Sequence, residues 1–492
     1  MSDKQFRLYD SLSRKVKPLQ TAEAGHLRFY TCGPTVYSYA HIGNFRSFLT
    51  ADLIVRTALA IGMKVTWVSN ITDVGHLTDD DMADATGEDK MEKALKSKEG
   101  EQFHNVWELA EYYEAAYRED WKLLNLVEPD VRPKATQHVR EQILAAEELI
   151  EKGFAYETPT GVYFSVEKFP GYGKLSGNTQ ESLRKGVRDV VLDDNKKDQS
   201  DFAIWKKDDK HLMQWFSPYG WGFPGWHIEC SVMARAYLGD TIDLHSGGED
   251  NKFPHHECEI AQSESLTGKP FCEHWSHTAF LQVNGQKMSK SLGNFYYVRG
   301  LMAQGADPLA IRYALISGVY RKNLNFTDQG LEDAKMNIDR FHRADTAVQE
   351  ALEAGLIGED PIGNELISLY EQALEAMLND LNTPIAVSKA LEGAKLITRD
   401  PLNAASAKSG EEFLNKIDDL LGIVRHPEDV VLAEDSKISN VDEAKILEQI
   451  EARKVAKASK DWGLADTIRK NLVDQGILLT DNSDGSVTWS IA

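Results

Sequence analysis

Three short stretches carry side chains that could do chemistry together. In the first, Cys32-Gly33-Pro34-Thr35-Val36-Tyr37 precedes His41-Ile42-Gly43-Asn44, so a thiol and an imidazole lie close in the chain. In the second, His255-His256-Glu257-Cys258-Glu259, His255 and Glu259 are spaced i, i+4 and His255 and Cys258 i, i+3. On a helix either pair shares a face, and either could bind a metal. The distant thiols Cys32 and Cys230 could complete the shell. Two thiolates, an imidazole and one oxygen suit Zn2+, and a carboxylate is more easily exchanged than a third thiolate. In the third stretch, Gln286-Lys287-Met288-Ser289-Lys290-Ser291-Leu292-Gly293-Asn294, two lysines flank small hydroxyl residues between glycines 285 and 293. A cationic loop of this kind can close on phosphates. Each stretch also has a plain structural reading: buried thiols, a satisfied core histidine, a solvated lysine loop.

The elements around these residues decide whether they can meet. Leu27, Phe29 and Thr31 alternate with Arg28 and Tyr30 as in a strand, while Phe45, Phe48, Leu49 and Leu53 recur at helical spacing. Gly62 closes that helix and Val65-Thr66-Trp67-Val68 supplies the next strand, completing a βαβ unit. The first stretch therefore sits at the carboxyl end of a strand, where a parallel sheet binds ligands and the next helix points its amides. It lacks G-x-G-x-x-G, so it is not a dinucleotide fingerprint. Ile242-Asp243-Leu244-His245 reads as a second strand feeding Ser246-Gly247-Gly248-Glu249-Asp250, with a helix beginning near Pro254. Two halves of one sheet thus flank a β-containing insertion that includes Val162-Tyr163-Phe164 and a glycine-rich run at 171–177.

Elsewhere the pattern is coarser. Charges from Asp79 to Lys98 predict a solvated loop, and helices are expected at 103–124 and 139–152. Past the lysine loop, periodicity marks helices through Leu331, Ala334, Ile338 and Phe341 and through Leu366, Leu369, Ala373 and Met377. A third is expected to be capped by Thr383, with Pro384 at its first position. A polar linker then leads to a basic helix at 441–460, Trp462, and a hairpin at 477–489 turned by Asp484-Gly485.

Composition narrows the class. A chain of 492 residues exceeds one core, so roughly three or four domains are expected. No run approaches the roughly 18 apolar residues of a membrane span, and the start shows no apolar signal region, so a soluble cytoplasmic protein is expected. Four cysteines are too few for a disulfide framework in a chain this long. Lys and Arg number 55 against 77 Asp and Glu, a net charge of −22, so any RNA binding must come from local basic patches and weaken with salt.

Taken together, these motifs resemble the class I aminoacyl-tRNA synthetases, in particular the cysteinyl-tRNA synthetase family. There a Cys-Gly-x-Thr-Val-Tyr stretch precedes the HIGH motif, Trp-His-Ile-Glu-Cys-Ser precedes Phe-Pro-His-His-Glu-x-Glu, and KMSKS follows. This chain has Cys32 to Tyr37, HIGN at 41–44, Trp226 to Ser231, Phe253 to Glu259 and Lys287 to Ser291. The likeness continues to the C-terminus through Lys460-Asp461-Trp462 and Ala465-Asp466-Thr467-Ile468-Arg469. It departs at Asn44, which stands where the family has a second histidine, and in a longer acidic segment after Asp73.

The resemblance implies an α/β fold: a Rossmann-like parallel-sheet catalytic domain in two halves (1–125 and 221–284), split by a connective insertion (126–220). The lysine loop and a stem-contact region (285–344), a tRNA-binding helical bundle (345–425), a linker (426–440) and a small α+β anticodon-binding unit (441–492) would follow. It implies one Zn2+ per subunit on Cys32, Cys230, His255 and Glu259, leaving Cys258 out. Mg2+ would accompany ATP, with His41, Gly43, Asn44, Lys287, Met288, Ser289, Lys290 and Ser291 on the nucleotide. His41, Asn44, Lys287 and Lys290 would stabilise the phosphates. Cys32, Thr72, Trp226 and Asp250 would line the amino acid, and Lys457, Trp462, Asp466 and Asp481 would meet tRNA(Cys). The partners expected are ATP, L-cysteine and tRNA, with no membrane and a monomeric state. Two other readings remain: a cysteine ligase of the mycothiol-pathway type, whose members are shorter and lack the C-terminal unit, and an inactive RNA-binding paralogue. The role given to the lysine loop predicts that Lys290→Ala cripples ATP/pyrophosphate exchange; undiminished exchange would remove that role.

Overall fold

The computed structural model describes residues 4–75, 77–79, 83–84, 86–178, 195–288, 294–427, 443–458, 463–465, 468, 471, 477–481 and 487–491. It divides into two compact units, residues 1–298 with 308–427, and 299–307 with 428–492.

The first unit opens with a hairpin, β1 (Arg7–Asp10) and β2 (Lys15–Pro18). Then come β3 (His26–Thr31), α1 (Ile42–Ala60) and β4 (Lys64–Ser69). The segment expected to be a solvated loop is structured instead: β5 (Leu77–Asp79) pairs with β6 (Thr86–Asp89), and α2 (Lys90–Leu95) follows. The reason lies in Asp89 and Met91. Asp89 caps α2 by accepting from the Glu92 amide at 2.8 Å and, almost fully buried, lies 3.3 Å from His211, while Met91 is sequestered beside it. A charge count does not register a carboxylate used as a buried cap. The helices α3 (Val106–Leu123) and α4 (Val139–Glu151) lead to β7 (Ala155–Glu157), β8 (Gly161–Phe164), β9 (Phe202–Lys207), β10 (Trp215–Ser217) and β11 (Gly220–Pro224). These five strands form an antiparallel sheet in the order β10-β11-β9-β8-β7.

The chain then returns to the first sheet through α5 (Trp226–Leu238), β12 (Leu244–Gly248), α6 (His255–Thr267) and β13 (Trp275–Thr278). That sheet is wholly parallel, in the order β13-β12-β3-β4. β3 and β12 are its central neighbours, and their connections run outward in opposite directions, which opens a crevice at their carboxyl ends. β12 starts two residues and ends three residues later than expected: Gly247 and Gly248 pair with His277 and Thr278 rather than entering the loop.

A smaller sheet follows, with β14 (Leu281–Val283) paired to β15 (Gln286–Lys287). After α7 (Val298–Ala303) and α8 (Pro308–Ile316), β16 (Leu324–Phe326) joins it parallel to β14. Four helices complete the unit: α9 (Asp328–Ala354), α10 (Gly363–Leu378), α11 (Thr383–Ile397) and α12 (Ala404–Leu421). The cap of α11 is Asn382, whose Oδ1 accepts from the Ile385 amide, and not Thr383 as expected; Thr383 is the first helical residue and Pro384 the second. The second unit contains α13 (Glu443–Ala458) and a hairpin of β17 (Ile477–Asp481) and β18 (Val487–Ile491). Arg453 is buried, whereas Lys454 is exposed.

Helix α1 is apolar around most of its circumference because it has neighbours on every side: the parallel sheet, α8 and α12. Its charged residues must therefore find partners inside. Asp52 is fully buried between Arg56 at 3.0 Å and Arg312. Arg312 also donates to the carbonyls of Leu421 (2.8 Å) and Leu124 (2.9 Å), and Arg56 to Asp418 (3.0 Å) and Asn125 (2.6 Å). Burial alone would push the Asp52 carboxyl up, but the two guanidinium charges outweigh it and hold it below the ordinary carboxylate range. The stabilisation is therefore complete above the ordinary aspartate pKa of about 4 and is lost as acid titrates the folded carboxyl. Replacing Asp52 with Asn strands two buried guanidinium groups and should cost about 3–5 kcal/mol in a denaturation experiment at pH 7. The deficit should shrink in acid, where the unsubstituted protein loses the same interaction.

Candidate metal centre and nucleotide mouth

Cys32 follows β3, Cys230 lies in the second turn of α5, and His255 and Glu259 occupy the first turns of α6. One ligand atom from each lies within 4.8 Å of the others, and all four side chains are buried. The helical register settles the choice left open by spacing. Glu259 faces the cluster, while Cys258 points to the insertion side, 3.3 Å from the Tyr172 hydroxyl.

Tautomers can be assigned outward from a fixed acceptor. His227 Nε2 is 2.8 Å from the Ala83 carbonyl, which can only accept, so Nε2 carries the proton and Nδ1 of the neutral ring is an acceptor. His255 Nδ1, 3.0 Å away, must then be the donor. That leaves His255 Nε2 as a lone pair 3.1 Å from Glu259 Oε1, an arrangement that requires a proton or a cation between the two. On the other side His245 Nε2 lies 2.9 Å from Glu259 Oε2, and its Nδ1 has no hydrogen-bond partner among the described residues. His245 therefore donates to the carboxylate and fixes its direction, as outer residues of metal sites do.

Burial pushes both thiols above their usual range, with the Glu259 charge adding to it. Burial raises the Glu259 carboxyl too, against the pull of His245. Three buried donors that are costly to ionise without a cation, and a fourth, the His255 lone pair, aimed at a carboxylate, fit a divalent metal and in particular Zn2+. Cys32, His245, His256 and Glu259 form a second convergent group. It shares two members with the first, and because His245 is a donor to Glu259 we assign the metal position to the first. His256 Nε2 lies 3.2 Å from Cys32 Sγ, and its Nδ1 continues to His277 at 2.9 Å, whose own Nδ1 meets Ser11 Oγ at 2.7 Å.

Of the residues expected to line an amino acid, Trp226 stands against the cluster. The Trp226 ring is 4.3 Å from that of His255, between centroids. Thr72 accepts from Asn70 at 3.1 Å and donates to Glu229 Oε2 at 3.2 Å. Gly33 allows the ends of β3 and β4 to meet here: a Cβ would lie 1.6 Å from the Asn70 carbonyl oxygen. Asp250 is on the exposed turn after β12.

The HIGN segment forms the start of α1 as a reciprocal capping box. The Asn44 amide donates to His41 Nδ1 at 3.1 Å, and the His41 amide donates to Asn44 Oδ1 at 3.0 Å. Asn44 thus accounts structurally for its position even though it cannot become cationic. It also fixes the His41 tautomer, with Nδ1 accepting and Nε2 protonated. The second motif adjoins the first. Met288 Cε would be 3.3 Å from a Cβ at Gly43, the Phe295 ring packs edge-on to His41 with centroids 5.0 Å apart, and the Ile42 amide donates to the Tyr296 carbonyl at 3.0 Å. Lys287 is exposed at the end of β15, and Asn294 Nδ2 donates to its carbonyl at 3.2 Å. Ser289, Lys290, Ser291, Trp462 and Asp466 lie outside the described residues, as does the side chain of Asp481. Lys457 is half-buried on α13.

Sequence reasoning missed the surrounding histidines and Glu229. Burial and the charge of Asp73 hold the Glu229 carboxyl far above its ordinary range, and its Oε1 has no hydrogen-bond partner among the described residues. One signal was present: six of the 14 histidines fall between positions 227 and 277.

Residues 18–336 match the family model for the class I (C) tRNA synthetase catalytic domain. A protein of Salinibacter ruber named "Cysteine--tRNA ligase" is 52% identical over 99% of this chain and 98% of its own length. One of the same name from Chlorobaculum tepidum is 42% identical over 99% of each. Among solved structures, a Mycobacterium tuberculosis methionyl-tRNA synthetase in complex with methionyl-adenylate is similar with a TM-score of 0.56 and 14% identity, over 82% of this chain and 92% of that one, a likeness of fold.

Two substitutions separate ligand from bystander. Cys230→Ala should abolish stoichiometric zinc in the purified protein as measured by atomic absorption, and Cys258→Ala should leave it intact. Because each thiol must lose its proton to bind, apparent zinc affinity should weaken by about tenfold or more per unit fall in pH, read by competition with a chromogenic chelator. PH-independent uptake would contradict a thiolate shell.

Proposed function

The chain belongs to the class I aminoacyl-tRNA synthetases, in the cysteine-tRNA ligase family, and from that premise we propose how its residues divide the work of activating L-cysteine with ATP and charging tRNA(Cys). The substrate carboxylate attacks the α-phosphate in line, pyrophosphate leaves, and cysteinyl adenylate remains. A hydroxyl of the terminal adenosine of the tRNA then takes the cysteinyl group and AMP leaves. Neither step requires a protein nucleophile, so catalysis is alignment plus charge neutralisation.

His41, through its protonated Nε2, and Asn44, through its carboxamide Nδ2, donate to the phosphates of Mg2+-bound ATP at the N-terminus of α1, where backbone amides add to the field. Gly43 keeps that approach open. Lys287 and Lys290, with Met288, Ser289 and Ser291, close over the leaving pyrophosphate. Cys32, Cys230, His255 and Glu259 would hold one Zn2+ per subunit, which when bound supplies a Lewis-acidic centre that prefers a thiolate to a serine hydroxyl. Trp226 covers the bound amino acid, and Thr72 and Asp250 take its ammonium side. Lys457, Trp462, Asp466 and Asp481 contact tRNA, by charge, stacking and acceptance of base hydrogen bonds. The protein acts as a cytoplasmic monomer; no helix among the described residues is long and apolar enough to cross a membrane.

The observation that supports this reading most is the convergence of four metal-competent atoms within 4.8 Å at the sheet crevice that also holds HIGN. Neither alternative is favoured, since relatives matched over 98% or more of their length carry the ligase name. Cysteine should drive ATP/pyrophosphate exchange, serine should do so about 10⁴-fold less efficiently, and tRNA(Cys) should then be charged. Exchange with serine equal to that with cysteine would defeat the selection assigned to the metal, and no exchange with cysteine would defeat the function.

A further inference from the structure

Arg46 lies two residues beyond HIGN on α1, is almost completely buried, and spends its guanidinium on five backbone carbonyls. Nη1 donates to Ala279 and, at 2.8 Å, to Phe280. Nη2 donates to Val319 (3.4 Å), Tyr320 (3.5 Å) and Lys322 (2.6 Å). These carbonyls belong to two separate chain segments. Ala279 and Phe280 join β13 to β14, and residues 319–322 lead into β16, the parallel partner of β14. Backbone bonds from Ala279 to Tyr320 (2.9 Å) and from Leu324 to Phe280 (3.1 Å) stitch the two segments together at that point. The small sheet rooted there carries β15 and with it Lys287 and Met288. One side chain therefore holds the root of the lysine-bearing sheet against the helix whose first residues are His41 and Asn44.

The acceptors are also unusual in kind. A buried arginine generally has a carboxylate partner, as Arg312 and Arg56 have in Asp52 on the same helix. Arg46 instead uses a fork of donors on carbonyl dipoles, an arrangement that specifies direction and distance, and burial lowers its pKa to about 10. A lysine would keep the charge but, as a single point donor, could not span both segments.

We infer that Arg46 is a positioning residue for adenylate formation, holding the lysine-bearing β14–β15–β16 sheet in register with the phosphate end of α1. It rests on the proposed function, in which the HIGN and lysine-loop residues act on the same phosphates. It acts through Lys287 and its neighbours and touches no substrate itself.

The test is the Arg46→Lys variant in ATP/pyrophosphate exchange with cysteine, beside the unsubstituted protein, Lys287→Ala and the double variant. Misplacement of about 1 Å at a reacting centre costs about 10²-fold, so a fall in kcat of that order with a raised KM for ATP is expected. The KM for cysteine and the zinc content should be unchanged, because the residues assigned to them lie on α5 and α6 and after β3, β4 and β12, not on the two segments that Arg46 holds. The double variant should be no slower than Lys287→Ala alone, which a general loss of stability would not produce. Unaltered kcat and ATP KM in Arg46→Lys, equal losses toward ATP and cysteine, or additive losses in the double variant would overturn the inference. A second arm leaves Arg46 intact: amide hydrogen exchange at Ala279 and Leu324 should slow when ATP and cysteine bind, and unchanged exchange would also overturn it. Absence of exchange activity in the unsubstituted protein would instead remove the functional reading and this inference with it.

Discussion

The parallel pairing of β3 with β12 is the constraint on which the rest of the catalytic unit depends. It joins segments more than two hundred residues apart, Leu244 to Phe29 and Ser246 to Thr31, and sets the carboxyl ends of both strands side by side. Cys32 emerges from one and α6, with His255 and Glu259, follows the other. Its cost in chain entropy is high, since loop closure must precede the contacts that reward it. The insertion and its own antiparallel sheet reduce that cost by ordering part of the intervening chain. The pairing is locked by Asp243, which accepts from the Arg28 amide and guanidinium and is itself completely buried.

The electrostatics of the crevice follow from this enclosure. Thiols and carboxylates brought together in a dry pocket are driven toward their neutral forms, and a central cation reverses that preference. The histidines around the cluster then take distinct parts. His255 presents a lone pair because His227 is committed to the Ala83 carbonyl, and His245 steers Glu259.

Helix α1 makes the crevice and the distal helices mechanically one body. From its N-terminus onward it offers His41 and Asn44 to the nucleotide mouth, Arg46 to the root of the lysine-bearing sheet, and Asp52 and Arg56 to the junction with α8 and α12. Arg46, Asp52 and Arg56 are buried, and leaving any one of them unsatisfied would be expensive in so low a dielectric. The helix is held to its neighbours by side-chain to backbone bonds at two levels, from Arg46 and from Asp52 with Arg56, and by the Ile42 amide on the Tyr296 carbonyl.

The sequence by itself determined the βαβ units, the two mouths and the amphipathic helices of the bundle, and put forward Cys32, Cys230, His255, Cys258 and Glu259 as candidate ligands, because periodicity and motif spacing are local properties. The register of α6 and its chain-distant neighbours lay beyond it. Only the tertiary structure separated Glu259 from Cys258 as the partner of Cys32, turned Asn44 into half of a capping box, and gave order to the acidic segment through a buried Asp89. It alone revealed Arg46, Glu229 and the histidines at 227, 245, 256 and 277, whose roles arise from groups distant in sequence. The physical reason is common to all of these: a buried polar side chain is defined by whichever donor or acceptor folding brings to it, and sequence spacing encodes the face it lies on but not the partner it meets.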